Sequence, residues 1–262
     1  MLLQRFNFQG LNISIFSEKQ LDEYIDSVLT SDYSSVAYGY SLGIIPKMHK
    51  TPELFKIANE FDLLVTDGRL FYLYSKVFGA PLQFDISIPN LVFKALAIAD
   101  KKKASVFFLG GSEIANSKTL LTTKSKYTNL KTVNGYHGYW KDEDSSFVIN
   151  LLREKSPDII FLTLTTPQKE ILAEHLKSLS IGKLIIPCGG MIDVLAGDKK
   201  ISPKIIKKLG LAWFYRFIQE PKVRYKLIIE SIWALVKVTG LIISDKLFYK
   251  KNTAYLKYIK SK

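Results

Sequence analysis

From the first residues to about residue 196, short runs of β-branched and aromatic residues alternate with longer stretches whose apolar positions recur every three or four residues. The first kind predicts strands and the second amphipathic helices. Strands are expected at residues 12–16, 35–40, 63–66, 105–109, 131–134, 158–164 and 183–187. Ser17-Glu18-Lys19-Gln20 has the form of a capping box and predicts a helix running to about residue 29. Thr51-Pro52-Glu53 puts proline at the first position of a helix reaching about residue 60. Segments 113–124, 145–154 and 168–179 each fit a helix that follows a strand. This alternation predicts an α/β fold, a Rossmann-like, mostly parallel sheet with helices on both faces.

In such sheets ligands lie beyond the carboxyl ends of the strands. The residues expected there are Tyr40-Ser41, Asp67-Gly68, Gly110-Gly111-Ser112, Thr165-Thr166-Pro167 and Gly189-Gly190. Small residues let a ligand approach the backbone, and the helix N-termini after them offer free N–H groups to phosphate.

Composition sharpens the picture. With 47% hydrophobic and 13% aromatic residues in 262, the chain is a folded protein, not a disordered one. The single cysteine, Cys188, excludes an intrachain disulfide and cysteine-based zinc sites. The first seven residues lack the uninterrupted apolar run of a signal peptide, which points to the cytoplasm.

The net charge of +13 is unevenly placed: residues 1–196 hold 21 Lys+Arg against 20 Asp+Glu, and residues 197–262 hold 16 against 4. Two parts are therefore expected, a nearly neutral α/β domain over 1–196 and a basic, aromatic-rich helical appendage over 197–262. Within the appendage, residues 227–243 form a 17-residue apolar run broken by Glu230 and Lys237, which share one stripe of a helix. That suits a helix lying on a membrane surface or packed on a partner better than one crossing a bilayer. Its aromatic, apolar character also fits a bilayer better than a phosphate-tracking groove, so no nucleic-acid partner is expected.

Several motifs carry two readings. Asp67, at the end of a hydrophobic strand, is placed to act as a general base, yet Asp-Gly is also common turn chemistry. Gly110-Gly111 is able to cradle a diphosphate or simply to turn the chain; neither a dinucleotide fingerprint nor a Walker A sequence is present. Asp142-Glu143-Asp144 has a metal-binding spacing, but acidic residues ahead of Ser145 read more simply as a solvated helix start. His49 and His175 have no partner at metal-ligand spacing, and His137 sits in an aromatic loop that can stack on a ring or pack.

Taken together, the blocks Val65-Thr66-Asp67-Gly68, Gly79-Ala80-Pro81-Leu82, Phe107-Phe108-Leu109-Gly110-Gly111, Gly135-Tyr136-His137-Gly138-Tyr139, Pro167 with Glu170, Gly189-Gly190-Met191-Ile192-Asp193-Val194-Leu195-Ala196-Gly197, Leu209-Gly210-Leu211-Ala212-Trp213-Phe214-Tyr215-Arg216 and Gln219-Glu220-Pro221 resemble, in order, the WecG/TagA/CpsF family of bacterial glycosyltransferases. The resemblance implies transfer of a sugar, of the N-acetylmannosamine type or a related hexose or uronic acid, from a UDP-sugar to a saccharide on undecaprenyl diphosphate. The products are cell-surface polysaccharides or teichoic acids. It implies Asp67 as the base of an inverting reaction, no required metal or other cofactor, and an appendage that associates peripherally with the cytoplasmic face of the plasma membrane and contributes arginines to the site. Ser41, Gly68, Gly110, Gly111, His137, Gly138, Tyr139, Pro167, Lys169, Glu170, Gly189, Gly190, Asp193, Arg216 and Arg224 are the substrate-binding positions it suggests. The expected partners are the UDP-sugar, the polyprenyl-diphosphate-linked acceptor, an anionic membrane surface and, given the apolar tail, a second copy of the chain. Each Lys or Arg held near an anionic leaflet contributes ~1 kcal/mol.

The chain also departs from the family pattern. Gly39-Tyr40-Ser41 stands in place of Thr-x-Asn, and Asp85 with Ile88-Pro89-Asn90 in place of an Arg followed by Gly-Ser-Asp. Pro167-Gln168-Lys169-Glu170 replaces Pro-Lys-Gln-Glu, Ile201 replaces a basic residue, and the tail's second arginine position falls on Val223 beside Arg224, with Lys226 at another. These changes predict an altered donor, acceptor or diphosphate grip. The alternative is a catalytically impaired member serving as a membrane-associated nucleotide-sugar-binding or assembly subunit.

Overall fold

The computed structural model of the chain describes residues 3–8, 10–41, 51–77, 79–140 and 145–222, and then 225–226, 228–230, 232–233, 236, 239–240 and 254–255. In chain order the elements begin with β1 (Gln4–Phe8), β2 (Leu11–Ile15), α1 (Glu18–Leu29), β3 (Ser35–Tyr40), α2 (Pro52–Asn59), β4 (Leu63–Thr66), α3 (Arg69–Val77), α4 (Ile88–Lys102) and β5 (Ser105–Gly110). They continue with α5 (Glu113–Lys126), β6 (Thr132–Tyr136), α6 (Ser145–Lys155), β7 (Ile159–Thr163), α7 (Gln168–Ser178), β8 (Leu184–Pro187), α8 (Met191–Leu195), α9 (Lys204–Lys208), α10 (Ala212–Gln219) and β9 (Ala254–Tyr255).

Six strands form one sheet in the order β4-β3-β8-β7-β5-β6, and every neighbouring pair is parallel. Strands β3, β4, β5, β7 and β8 are buried on both faces, which is why they read as largely apolar runs, whereas the edge strand β6 is partly exposed. The period of two sorts their side chains between two cores: Phe107, Leu109, Ile160, Leu162 and Ile185 enter one. Val106, Phe108, Ile159, Phe161, Leu184 and Ile186 enter the other. The α/β fold anticipated from the pattern is thus the fold observed.

The expected strand at residues 12–16 does not join this sheet. It is β2, paired antiparallel with β1 in the register Phe8↔Leu11 and placed in a second small sheet of order β2-β1-β9. Only two residues separate β1 from β2, and a link that short permits antiparallel pairing only. Gly10 takes φ +86° in the turn. The hairpin shields the edge of the main sheet, with Leu64 N–H donating to Ser14 Oγ at 2.9 Å. Helices α3 and α4 follow β4 and carry the chain across to β5.

Local signals are realised closely. Ser17 accepts from the Gln20 N–H at 3.2 Å while Gln20 Oε1 accepts from the Ser17 N–H at 2.8 Å, completing the capping box of α1. Replacing Ser17 with Ala removes one of these bonds and is expected to cost about 1 kcal/mol in urea unfolding. Pro52 begins α2, although Thr51 makes no side-chain cap bond.

At the amino edge of the sheet, Asp158 Oδ2 accepts from Ser105 N–H at 2.8 Å and Ser105 Oγ at 2.7 Å, and its Oδ1 lies 3.1 Å from Lys183 Nζ. Burial pushes the Asp158 carboxyl up, but the Ser105 bonds and Lys183 outweigh it and hold the group below its ordinary value. A depressed folded value means that the ionised form adds stability above the ordinary carboxylate range, and that this is lost as pH falls through the folded value. Urea unfolding of wild type and Asp158→Asn is therefore expected to differ most near neutral pH and to converge on acidification; a gap independent of pH would refute the assignment.

Candidate functional site

The chain leaves β5 towards β6 on one side, and leaves β7 towards β8 on the other. Connections that diverge in this way open a crevice at the carboxyl ends of the strands. Its floor is glycine-rich by necessity. Gly110 has φ +127° and Gly111 φ +69°, both left-handed, and a Cβ on Gly110 would collide with Thr163 across the β5–β7 pair. The aromatic loop after β6 folds onto this turn, Gly138 N–H donating to Gly111 O at 2.8 Å. Asn116 of α5, buried and not anticipated from the sequence, spans the two strand ends: its Nδ2 lies 3.0 Å from Phe108 O, 3.0 Å from Gly110 O and 2.9 Å from Tyr136 O. His137 stacks on Tyr136 at 4.3 Å, and its Nδ1 accepts from the Tyr139 N–H at 3.2 Å. Tyr139 itself is exposed.

On the β3–β4 side, Asp67 follows β4 and is half-buried. Its N–H donates to Tyr40 O at 2.6 Å, and its Oδ1 accepts from the Ile88 N–H at 2.8 Å, at the first turn of α4. The carboxylate therefore does more than turn the chain: it satisfies an orphan donor of a helix N-terminus, where negative charge is favoured. Gly68 beside it has φ +105°. Ser41, directly after β3, is half-buried, and the preceding Tyr40 pairs with Thr66 at the end of β4.

Asp67 lines a cavity of ≈ 140 Å³ together with Cys188, Gly190, Met191, Lys199 and Arg216, among others. Gln219 and Glu220 close its far wall. Of the positions singled out in the sequence, the cavity thus unites Asp67, Gly190 and Arg216. Gly110, Gly111, Gly138 and Gly189 lie towards β5 and β7: Gly111 abuts Ile192, next to the cavity-lining Met191, and Gly189 lies near Leu164 O. Lys199, Lys200, Gln219 and Glu220 also line the cavity; the pattern of the sequence marks none of them as a binding residue, and only Gln219 and Glu220 belong to a block that carries the family resemblance.

Lys169 and Glu170 form the under-layer of this crevice rather than its open surface. Glu170 is fully buried; its Oε1 accepts from Tyr38 OH at 2.8 Å and Thr166 Oγ1 at 3.0 Å and lies 2.7 Å from Lys169 Nζ. The Lys169 ammonium also sits 5.2 Å from the Tyr38 ring centre. Pro167 opens α7 after a cis Thr166-Pro167 bond. Burial, and then the Glu170 charge, push the Tyr38 phenol well above its ordinary value. Burial also pushes the Cys188 thiol up to about 12 against the pull of Lys169, so Cys188 is a neutral lining group near pH 7. Removing the Glu170 carboxylate leaves Lys169 charged, unpaired and only 13% exposed. Glu170→Ala is therefore expected to destabilise the protein by about 3 kcal/mol in chemical denaturation.

The anion at position 85 is compensated. Arg69 Nη1 lies 3.1 Å from Asp85 Oδ2. Burial raises the Asp85 carboxyl, Arg69 lowers it and the nearby Asp67 charge raises it again, with a net rise. Asp193 pairs with Lys199 at 2.7 Å. Arg224, Asp142-Glu143-Asp144 and His49 lie outside the described residues. Among the described residues no group of three or more His, Cys, Asp and Glu is arranged to hold a metal ion, and no helix is long and apolar enough to cross a membrane.

Comparison with known proteins places these features in a family setting. The profile described as "Glycosyl transferase WecG/TagA/CpsF family" matches residues 6–250. Similar relatives bear the name N-acetylglucosaminyldiphosphoundecaprenol N-acetyl-beta-D-mannosaminyltransferase. That of Bacillus spizizenii strain W23 is 27% identical over 172 residues, 66% of this chain and 66% of the relative. That of Bacillus subtilis strain 168 is 26% identical over 210 residues, 80% of each chain. That of Staphylococcus aureus strain MRSA252 is 29% identical over 162 residues, 62% of this chain and 63% of the relative.

Proposed function

Because the chain belongs to the WecG/TagA/CpsF family of glycosyl transferases, with the match running over residues 6–250, we propose that it moves a sugar from a UDP-sugar to a saccharide carried on a polyprenyl diphosphate. The observation that carries this reading is that Asp67 and Arg216 line one cavity, at the strand ends of a parallel sheet. The names of the relatives support an N-acetylmannosamine-type donor and an N-acetylglucosaminyl-diphospho-lipid acceptor.

In this mechanism Asp67 takes the proton of the acceptor hydroxyl as the oxygen attacks the anomeric carbon. The bond to UDP breaks on the opposite face, so configuration inverts. Its Oδ1 is held by the Ile88 N–H, which leaves Oδ2 for the proton. Negative charge growing on the UDP oxygen is met by Arg216 and by the backbone N–H groups around Gly190 and Gly111. No metal is needed in this scheme, since cations of the chain offset the leaving-group charge. Asp85 is paired with Arg69 rather than left as a free anion, which weakens the case for an impaired family member.

The appendage serves as the membrane contact in this reading. Trp213, Phe214, Ile218, Ile229 and Trp233 are exposed, and the segment carries 16 Lys+Arg. Together they favour the anionic, cytoplasmic face of a bilayer in which the acceptor resides.

Asp67→Asn preserves the oxygen that accepts from Ile88 and is expected to lower transfer by about 10³-fold, with UDP binding and unfolding midpoint nearly unchanged. A fully active variant in a radiolabelled UDP-sugar assay with a short-chain polyprenyl-diphosphate sugar would remove Asp67 from the mechanism. Flotation with phosphatidylserine-containing vesicles is expected to recover the full chain at low salt and to fail when residues 197–262 are deleted. Flotation unchanged by that deletion would place the membrane contact elsewhere.

A further inference from the structure

The cavity wall formed by Arg216, Gln219 and Glu220 comes from α10 and its C-cap, a helix with no fully buried residue: Ala212, Tyr215 and Phe217 are half-buried, and Trp213, Phe214 and Ile218 are exposed. Partial burial of that kind leaves polar contacts a large share in holding α10 against the sheet domain. We propose that Lys199 is a positioning residue, a cationic clasp that ties the end of α10 to α8 and so keeps Arg216 on the Asp67 crevice.

Lys199 Nζ lies 2.7 Å from Asp193 Oδ2 and 2.8 Å from Glu220 Oε1. The two carboxylates come from different parts of the molecule. Asp193 is on α8, which is anchored from beneath where Thr119 Oγ1 of α5 donates to Ile192 O at 3.1 Å. The Lys199 N–H also donates to Asp193 O at 3.0 Å, fixing the start of the Lys side chain. Glu220 directly follows α10, and its N–H donates to Arg216 O at 3.1 Å and Phe217 O at 3.2 Å. Arg216 and Glu220 are thus one helical turn apart, so displacement of one displaces the other. A second, longer link runs from Gln219 Nε2 to Lys200 O at 3.5 Å.

An isolated exposed ion pair contributes little. Here the geometry changes the outcome. Two carboxylates share one ammonium, so removing Lys199 deletes two attractions and also leaves Asp193 and Glu220 facing each other as like charges. Burial disfavours the ammonium, but the two carboxylates outweigh it and raise the Lys199 value, so the clasp stays charged through neutral pH. Arg216, carried on the far side of the clasp, reaches the crevice only while α10 is docked.

This inference rests on the transfer reading of the crevice, and the test separates the two. Amide exchange in residues 212–219 and transfer activity are measured for wild type, Lys199→Met, Lys199→Arg, Arg216→Ala and the Lys199→Met/Arg216→Ala pair. Lys199→Met is expected to speed exchange in 212–219 about tenfold and to lower kcat by a similar factor, with exchange of the β5 and β7 amides unchanged. Lys199→Arg should stay within about twofold of wild type in both readouts. In the Arg216→Ala background, Lys199→Met should have no further effect on the residual transfer, because both act through one guanidinium. Unchanged exchange in 212–219, or losses that multiply in the double variant, would overturn the clasp. Exchange decides the question by itself if Arg216→Ala leaves no measurable transfer. If wild type transfers no sugar from any UDP-sugar, the functional reading fails, while the exchange data still decide whether Lys199 docks α10.

Discussion

The hydrogen bond from the Ile88 N–H to Asp67 Oδ1 joins the carboxyl end of β4 to the amino end of α4. Both lie on the long crossover, through α3 and α4, that carries the chain from β4 at one edge of the sheet to β5 near the other. A helix N-terminus leaves backbone donors without partners and attracts negative charge, so a carboxylate at this place is satisfied and oriented at once. The same bond fixes where the remaining oxygen of Asp67 can act. Gly39 has to be small here, since a side chain would strike Ile88 and approach Asp67. The backbone beneath the crevice is thus shaped around one acidic group.

Charge around that group is arranged in compensated pairs. Arg69 answers Asp85, Lys169 answers the fully buried Glu170, and Lys199 answers Asp193 and Glu220. Arg216 differs, because it is exposed on α10 and lines the cavity. Lys207 lies near it, its ammonium pushed down by burial and then by the Arg216 charge. Two cations that repel one another gain from an arriving anion, which relieves the repulsion.

Much of the sheet domain was legible in the pattern. The strands at 35–40 and 63–66 fall where the apolar runs put them, and the capping box at Ser17 forms with both of its bonds. The hairpin was not legible as such, because β1 reads as a mixed run whose alternation makes sense only when Phe6 and Phe8 face the core beside β2. Helices α3 and α4 are hard to read from the pattern because Arg69 and Lys76 break up the first, Pro81 stands between the two and Pro89 sits in the first turn of the second. At the site, the glycines and Asp67 announced themselves by their position after strands. Asn116 did not: its role comes from three carbonyls contributed by β5 and β6, which no local spacing reveals. Lys199 looked like one of many basic residues of the appendage until Asp193 and Glu220 were brought to the same ammonium.

The separation of charge along the chain now has a structural meaning. Residues 1–196 are nearly neutral because 21 Lys+Arg are matched by 20 Asp+Glu, several of them in close ion pairs. In the appendage the excess of positive residues is accompanied by exposed aromatic and branched side chains, including Trp213, Phe214, Ile229 and Trp233. An apolar surface of that kind stays exposed in a folded protein when it meets another phase or partner. Helix α10 meets the rest of the chain through half-buried Ala212, Tyr215 and Phe217 and through polar contacts, while Phe214 and Ile218 stay exposed and Arg216 lines the cavity. On one short helix, Phe214 and Ile218 thus lie roughly opposite Arg216, so an exposed apolar side and a cavity-lining cation do not compete for the same face.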